Sequence, residues 1–293
     1  MKKFKLVFAA IIITKIFLIP SCFPPFEPKE PTGDPDSLIS DVITPETGLP
    51  EPEIPVFPIS EQAVMATLFQ QYAAEFRALS YQAFNLARLM LERDLRDQSV
   101  NSPRAIIVDI DETLLDNSPH SAKCIQNQTS YPAYWDEWCE LGIAKPMPGA
   151  VEFLQLARNY GVSIYYITNR REHLKEATMR NMRELGFPMI KDRYMMFRTD
   201  EAGKEKRRMA VARNHHITML IGDNLNDFSD VFEHKSIEQR AAVTDSLRHE
   251  FGRRFIVLPN AMYGEWEGAL YNYNFAISDS AKMALRRQWL ESF

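Results

Sequence analysis

The sequence predicts an α/β chain, a Rossmann-like parallel sheet sandwiched between helices and carrying a smaller helical part. Two observations lead there. Short apolar runs at 105–110, 162–168, 219–222 and 255–258 read as buried parallel strands, and helical patterns at 150–160, 174–185 and 205–214 lie between them. Such alternation builds a three-layer sandwich. Polar and acidic residues also gather just past the ends of these runs, where sheets of this kind bind ligands. A weaker fifth strand covers 194–197.

The chain begins with a targeting segment. Lys2, Lys3 and Lys5 precede an apolar stretch over 6–19, broken by Thr14 and Lys15, and Ile19-Pro20-Ser21-Cys22 follows. This is a signal-peptide layout, too short and too poorly flanked for an ordinary transmembrane helix. An aliphatic residue three before a cysteine, with a small residue between, resembles a bacterial lipoprotein cleavage site. That resemblance implies a lipidated Cys22, membrane attachment through the lipid and a place in the cell envelope. Phe23 stands where an Asp often retains such proteins in the inner membrane, which points to the outer membrane.

Residues 23–59 form a tether. Ten of the 18 prolines fall here, with eight acids against Lys29 alone. Such a stretch cannot bury enough surface to fold, and proline keeps it extended. The net charge of −5 divides into +4 over 1–22, −7 over 23–58 and −2 over the rest. A body so near neutrality gives no electrostatic reason to expect a nucleic-acid polymer, while a local pocket can still hold a small anion.

Residues 60–293 make the folded body. A long helical pattern runs over 60–98, with Val64, Leu68, Phe69, Phe76, Leu79, Phe84, Leu86, Leu89 and Leu91 spaced for a buried stripe. Together with the segment 119–146 it is expected to supply the smaller helical part, about 60–100 and 119–146.

The chemistry lies at the strand ends. Asp109 and Asp111 follow the first run, and side chains two apart share one side of a strand. Two like charges in one small space are costly unless a cation is present or one acid is protonated. A hard divalent cation with oxygen ligands relieves that repulsion, and Mg²⁺ suits phosphate chemistry. Thr168 and Asn169 end the second run as neutral donors fit for phosphoryl oxygens. Lys204 heads a basic cluster with Lys206, Arg207 and Arg208. Asp223 and Asp227, four apart, then follow Gly222 and face one way if a helix begins there.

Asp-x-Asp, Thr-Asn, Lys and Gly-Asp-x₃-Asp in this order resemble the haloacid-dehalogenase-like (HAD-like) phosphohydrolases. The run Asp109-Ile-Asp-Glu-Thr-Leu-Leu-Asp-Asn-Ser-Pro119, with Thr168-Asn-Arg170, Gly222-Asp-Asn-Leu225 and Leu258-Pro-Asn-Ala-Met-Tyr-Gly-Glu-Trp-Glu267, narrows the likeness to the class C, or DDDD, bacterial acid phosphatases. The likeness extends over about 62–271. It implies an acid phosphatase acting on small phosphomonoesters, nucleoside 5'-monophosphates among them (a 5'-nucleotidase). Asp109 would be its nucleophile, forming an aspartyl-phosphate, and Asp111 its acid and base. Thr168, Asn169 and Lys204 would hold the phosphoryl group. Mg²⁺ would sit on the Asp109 carboxylate, the Asp111 backbone carbonyl and Asp223, with Asp227 in support. The basic cluster leaves Lys204, Lys206 and Arg208 open for the phosphoryl cation; Lys204 is taken, with Arg208 as a substrate-binding residue.

Trp135, Trp138 and Tyr263 match aromatics that stand near the site's mouth in that family, so Trp135 and Tyr263 are candidate substrate residues that could sandwich a flat leaving group. Helix packing is the alternative for the two tryptophans. His120, His173, His215 and His216 read as structural or exposed. Cys124 and Cys139 are either a disulfide, worth on the order of 3 kcal/mol, or two buried thiols. The sequence neither fixes nor excludes a homodimer. Two rival functions remain at this stage, a phosphotransferase and a ligand-binding surface lipoprotein (for haem or adhesion) on the same scaffold.

Overall fold

The structure is a computed structural model that describes residues 58–293; the targeting segment, Cys22 and nearly all of the 23–59 tether lie outside the described residues. In chain order the elements are α1 (Val64–Tyr72), α2 (Ala74–Leu95), β1 (Arg104–Val108), β2 (Leu115–Asp116), α3 (Ser118–Gln126), α4 (Trp135–Leu141), β3 (Lys145–Pro146), α5 (Ala150–Asn159), β4 (Ser163–Arg171), α6 (Lys175–Glu184), β5 (Met195–Arg198), α7 (Glu205–Ala212), β6 (His216–Gly222), α8 (Ile237–Ser246), β7 (Phe255–Val257), α9 (Glu265–Leu270) and α10 (Asp279–Gln288). Short 3₁₀ turns join several of them.

Five strands form one parallel sheet in the order β5-β4-β1-β6-β7. Strand alternation sorts its side chains into two cores. Ile106, Val108, Ile164, Tyr166, Met219 and Ile221 face one layer with Phe84 and Leu91 of α2, Phe153 of α5 and Met182 of α6. Ala105, Ile107, Ile167 and Leu220 face the other with Val211 of α7 and Phe228. The weak fifth strand exists and forms the β5 edge. β1 stops at Val108 rather than running to Ile110, because the chain turns there: the Ile110 carbonyl accepts from the amides of Leu114 and Leu115 at 2.8 and 2.9 Å.

The single helix expected over 60–98 is instead a 3₁₀ turn at Ile59–Ala63 followed by α1 and α2, with Ala73 extended at the joint (ψ 127°). Phe69 and Phe76 meet edge to face across it, their centroids 6.0 Å apart. The buried face of α2 is Phe76, Ser80, Ala83, Phe84, Ala87 and Leu91, a true 3.6-residue stripe. Leu68, Phe69, Leu79 and Leu89, expected to be buried, are exposed. The expectation followed side-chain size, whereas the small residues at 80, 83 and 87 mark the face, since they let α2 lie close against α5. The Ser80 hydroxyl secures that approach by donating to the Pro148 carbonyl at 2.8 Å.

The two helices also have different main neighbours. α1 packs on α3, while α2 packs on α5 and the β6–β7 side of the sandwich. Within the 60–100 segment, α1 thus lies with the insertion between the antiparallel strands β2 and β3, and α2 lies on the sandwich. No helix among the described residues is long and apolar enough to cross a membrane.

Ala87 is fully buried in this face. Ala87→Leu is expected to overpack it and cost about 1–3 kcal/mol, read as a lower urea midpoint. Leu89→Lys, two residues on and solvent-facing, should stay within about 0.5 kcal/mol of wild type.

Candidate active site

Three adjacent strand ends converge on one carboxylate cluster. The Asp109 amide donates to the Ile221 carbonyl at 2.9 Å, so the residue after β1 is tied beside the end of β6. Asp223 and Asp227 follow β6, and carboxylate oxygens of Asp109, Asp223 and Asp227 all lie within 4.8 Å of one another. Asp227 is locked by a reciprocal cap: Asn224 N–H donates to its Oδ2 at 3.0 Å. It lies so close to Gly222 that a Cβ there would stand 2.3 Å from Asp227 Oδ2, and only glycine fits.

Lys204, at the start of α7, is buried with its ammonium on both Asp109 Oδ1 and Asp227 Oδ1 (the latter at 2.6 Å). Burial disfavours its charge, but Asp109 and Asp227 outweigh that and hold the ammonium protonated above its ordinary range. One ammonium cannot neutralise three carboxylates. Burial, then the charges of Asp227, Asp223 and Asp111, push Asp109 well up despite Lys204, and burial and Asp227 push Asp223 up to about 8. Thr113 donates to Asp223 at 3.0 Å and Asn260 Nδ2 donates to its other oxygen at 2.8 Å. A buried, all-oxygen donor set with surplus negative charge fits a hard divalent cation.

Asp111 has a different environment. Arg170 donates to its Oδ1 through Nε at 2.9 Å and pairs through Nη2 at 2.8 Å, and Asn117 Nδ2 donates to the same oxygen at 2.9 Å. Its Oδ2 has only a 3.3 Å contact from the Thr168 hydroxyl. Arg170 is buried; burial opposes its charge, but Asp111 outweighs burial and raises it. The same guanidinium donates to Thr178 and Asn117 and lies over the Trp135 ring at 5.4 Å.

The next residue, Glu112, is left-handed (φ 56°) and wholly buried. Its carboxyl accepts from the Asn117 amide at 3.0 Å and from the Tyr263 hydroxyl. Burial, and then Asp111, push it up to about 8. Trp135 and Tyr263 thus both attach to the 111–112 turn, one through Arg170 and the other through Glu112. Trp135 also packs edge-on against His120 and Tyr131.

The remaining predicted residues are placed as follows. Thr168 is buried and turned to Asp111, while Asn169 is exposed with its Oδ1 fixed by Arg207 at 2.8 Å; its NH₂ is the end left to donate. Arg208 departs from expectation. Its guanidinium is spent on the Asn226 and Asp227 carbonyls at 2.8 and 3.1 Å and on Glu205, so it braces the 224–227 turn instead of meeting substrate. Trp138 is core, donating to Asn117 Oδ1 at 2.8 Å. Cys124 and Cys139 are separate buried thiols. His120 is buried on the Ala133 carbonyl, His173 lies exposed beside Asp136, His215 packs on Tyr165 and His216 pairs with Asp94.

Sequence reasoning gave no role to Thr113, Asn117, Arg170 or Asn260. Arg170 was within reach: it is two residues from Thr168 on one strand, so the alternation that pairs Asp109 with Asp111 pairs these two as well.

Comparison with known proteins identifies the family. Residues 54–266 match the family described as HAD superfamily, subfamily IIIB (acid phosphatase). The class B acid phosphatase of Xenorhabdus bovienii is 30% identical over 155 residues, covering 49% of this chain and 63% of that protein. The one from Morganella morganii is 25% identical over 177 residues, covering 56% and 68%. The solved class C acid phosphatase of Bacillus anthracis is 40% identical, covers 80% of this chain and 99% of its own, and superposes with a TM-score of 0.79. The same enzyme solved with tungstate bound gives 41%, 80%, 98% and 0.78.

The electrostatics give a signed expectation. With Asp223 titrating at about 8, a cation that needs its carboxylate must displace a proton below that pH. Mg²⁺ affinity, measured calorimetrically in two buffers of different ionisation heat, should rise between pH 6 and 8 by up to about tenfold per unit for each proton displaced, with protons released on binding. A pH-independent affinity would show that Asp223 is already ionised in the free protein.

Proposed function

The chain belongs to the HAD superfamily, subfamily IIIB (acid phosphatase), and on that premise we propose that it hydrolyses small phosphomonoesters with Mg²⁺ through a phosphorylated Asp109. The observation that carries the mechanism is the division of two acids, two residues apart, into unlike surroundings. Asp109 is buried on an ammonium, and Asp111 is partly exposed on a guanidinium. Surroundings this unlike let the two carboxylates take different tasks; a bound divalent cation would relieve the repulsion that pushes protons onto Asp109 and leave it the anion that attacks.

Asp109 attacks phosphorus, one bond forming from its carboxylate oxygen as the ester P–O bond breaks. Lys204 fixes Oδ1, and the Thr113 hydroxyl, at 3.4 Å, is the lone further contact on Oδ2, so Oδ2 is the freer oxygen for attack. On Asp111, Oδ1 is saturated by Arg170 and Asn117, which leaves Oδ2 to carry the proton. That proton goes to the departing alkoxide, and the same oxygen then takes one from the water that cleaves the phospho-enzyme. Thr168, the Asn169 NH₂ and Lys204 are the donors for phosphoryl oxygens. Mg²⁺ would rest on the Asp109 carboxylate, the Asp111 carbonyl and Asp223, with Asp227 holding Lys204 in place; once bound, it supplies the positive charge that three carboxylates and a phosphoryl group require. That an acid phosphatase of this fold takes up tungstate, an oxyanion, supports the reading.

Tyr263 and Trp135 are the specificity residues of this reading, flanking a flat leaving group such as a nucleoside. The enzyme works in the cell envelope, anchored by lipid on Cys22, where phosphoesters that cannot be imported intact are encountered.

Asp109→Asn should fold normally and lose turnover of p-nitrophenyl phosphate, as wild type should on EDTA treatment; wild-type kcat in the variant overturns the covalent mechanism. Tyr263→Ala should lower kcat/KM for a nucleoside monophosphate by about 5- to 150-fold, the equivalent of about 1–3 kcal/mol of stacking, beyond whatever loss a small alkyl phosphate shows from freeing Glu112. Equal losses on both esters would remove the aromatic contribution and leave a generic phosphatase.

A further inference from the structure

A groove of about 680 Å³ lies away from the carboxylate cluster. It lies at the opposite end of the sheet, between the C-terminus of α5 and the 186–194 segment that leads into β5, beside the amino ends of β4 and β5. Arg158, Lys191 and Arg193 line it, together with the amides of Gln155 and Asn159, and no acidic side chain does. None of the three cations has a carboxylate partner among the described residues. The nearest acid in sequence, Asp192, turns away to Lys175 at 3.3 Å.

Loops normally present carbonyl acceptors as well as donors, which makes a groove indifferent to charge. Here five carbonyls of the 186–191 loop are consumed from within. The Pro188 carbonyl accepts from the buried Tyr166 hydroxyl at 2.6 Å, Gly186 from Gln155 Nε2 at 3.0 Å, and Ile190 from Arg183 at 3.4 Å. Those of Met189 and Lys191 accept from the amides of Lys191 and Tyr194 at 2.8 and 2.9 Å. The groove is left with three cations free of carboxylates, Arg193 lying over the Tyr194 ring at 4.6 Å, above a buried floor of Phe187, Pro188 and Tyr194. Its size is that of a small-ligand site.

From this arrangement we propose a second anion site, distinct from the catalytic one, that binds a phosphate-bearing ligand. The phosphates lie on Arg158, Lys191 and Arg193. A multiply charged phosphate satisfies three cations where a single carboxylate cannot, and arginine is suited to it by its paired donors. Two sources share this chemistry: a soluble polyphosphate-type anion and the headgroup of an anionic phospholipid. The inference does not depend on the phosphatase reading, since none of these residues touches the catalytic cluster.

Hydrogen exchange on the full chain, stripped of metal, separates the two sites. Pyrophosphate in one arm, and phosphatidylglycerol vesicles against phosphatidylcholine vesicles in the other, should slow exchange over 186–194. In Arg158→Ala/Lys191→Ala the concentration needed should rise about tenfold or more, while turnover of p-nitrophenyl phosphate by the Mg²⁺-loaded variant stays at the wild-type level. Protection by pyrophosphate assigns a soluble ligand, and protection by phosphatidylglycerol vesicles alone assigns the headgroup. No protection of 186–194 in either arm, or equal protection in the double variant, overturns the proposal.

Discussion

The ion pair between Lys204 and the two carboxylates of Asp109 and Asp227 is the constraint around which the rest is arranged. Three acids enclosed at a strand end repel one another, and the ammonium relieves only part of that repulsion. Without a positive group in contact, burial alone would drive protons onto them. Holding one there requires Lys204 at the N-cap of α7, β6 to end beside β1, and glycine at 222 so that Asp227 can reach inward. Arg208, on the next turn of α7, clasps the carbonyls of the 226–227 turn. One helix therefore supplies both the charge and the brace that keeps its partner in position. The residual negative charge is what makes the cluster receptive to a divalent cation. A site neutral by itself would bind one poorly.

Much of this was legible from the residues. The strands could be read because parallel strands buried on both faces are continuous apolar runs, and the four acids could be placed because they follow those runs directly. What stayed hidden has physical causes. The joint at Ala73 carries no proline or glycine, so periodicity alone runs through it. The buried face of α2 is written in Ser80, Ala83 and Ala87, which hydropathy scores as weak and close packing selects. Arg208 looked like a substrate cation because a guanidinium near a phosphate site usually is one. That it serves a turn depends on where two carbonyls point, which no spacing rule states. Asn117 is likewise invisible as a network centre, since its partners Glu112, Asp111, Arg170 and Trp138 come together only when the β2–β3 insertion closes on β4.

That network bears on how selection and proton transfer are related. Trp135 touches Arg170, Arg170 and Asn117 hold Asp111, and Tyr263 holds Glu112, the residue after it. Under the proposed mechanism the aromatic residues that meet the leaving group are attached to the same turn that must deliver its proton. A leaving group that displaces either ring therefore pulls on the acid, and one that seats both leaves it where it is. Such a site discriminates through kcat as well as through binding, because the geometry of proton delivery depends on the fit of a group remote from phosphorus. Glu112 is the hinge of this arrangement. Its left-handed backbone turns Asp111 towards β4 and its own carboxyl towards Tyr263, so a single strained residue divides one loop between chemistry and recognition.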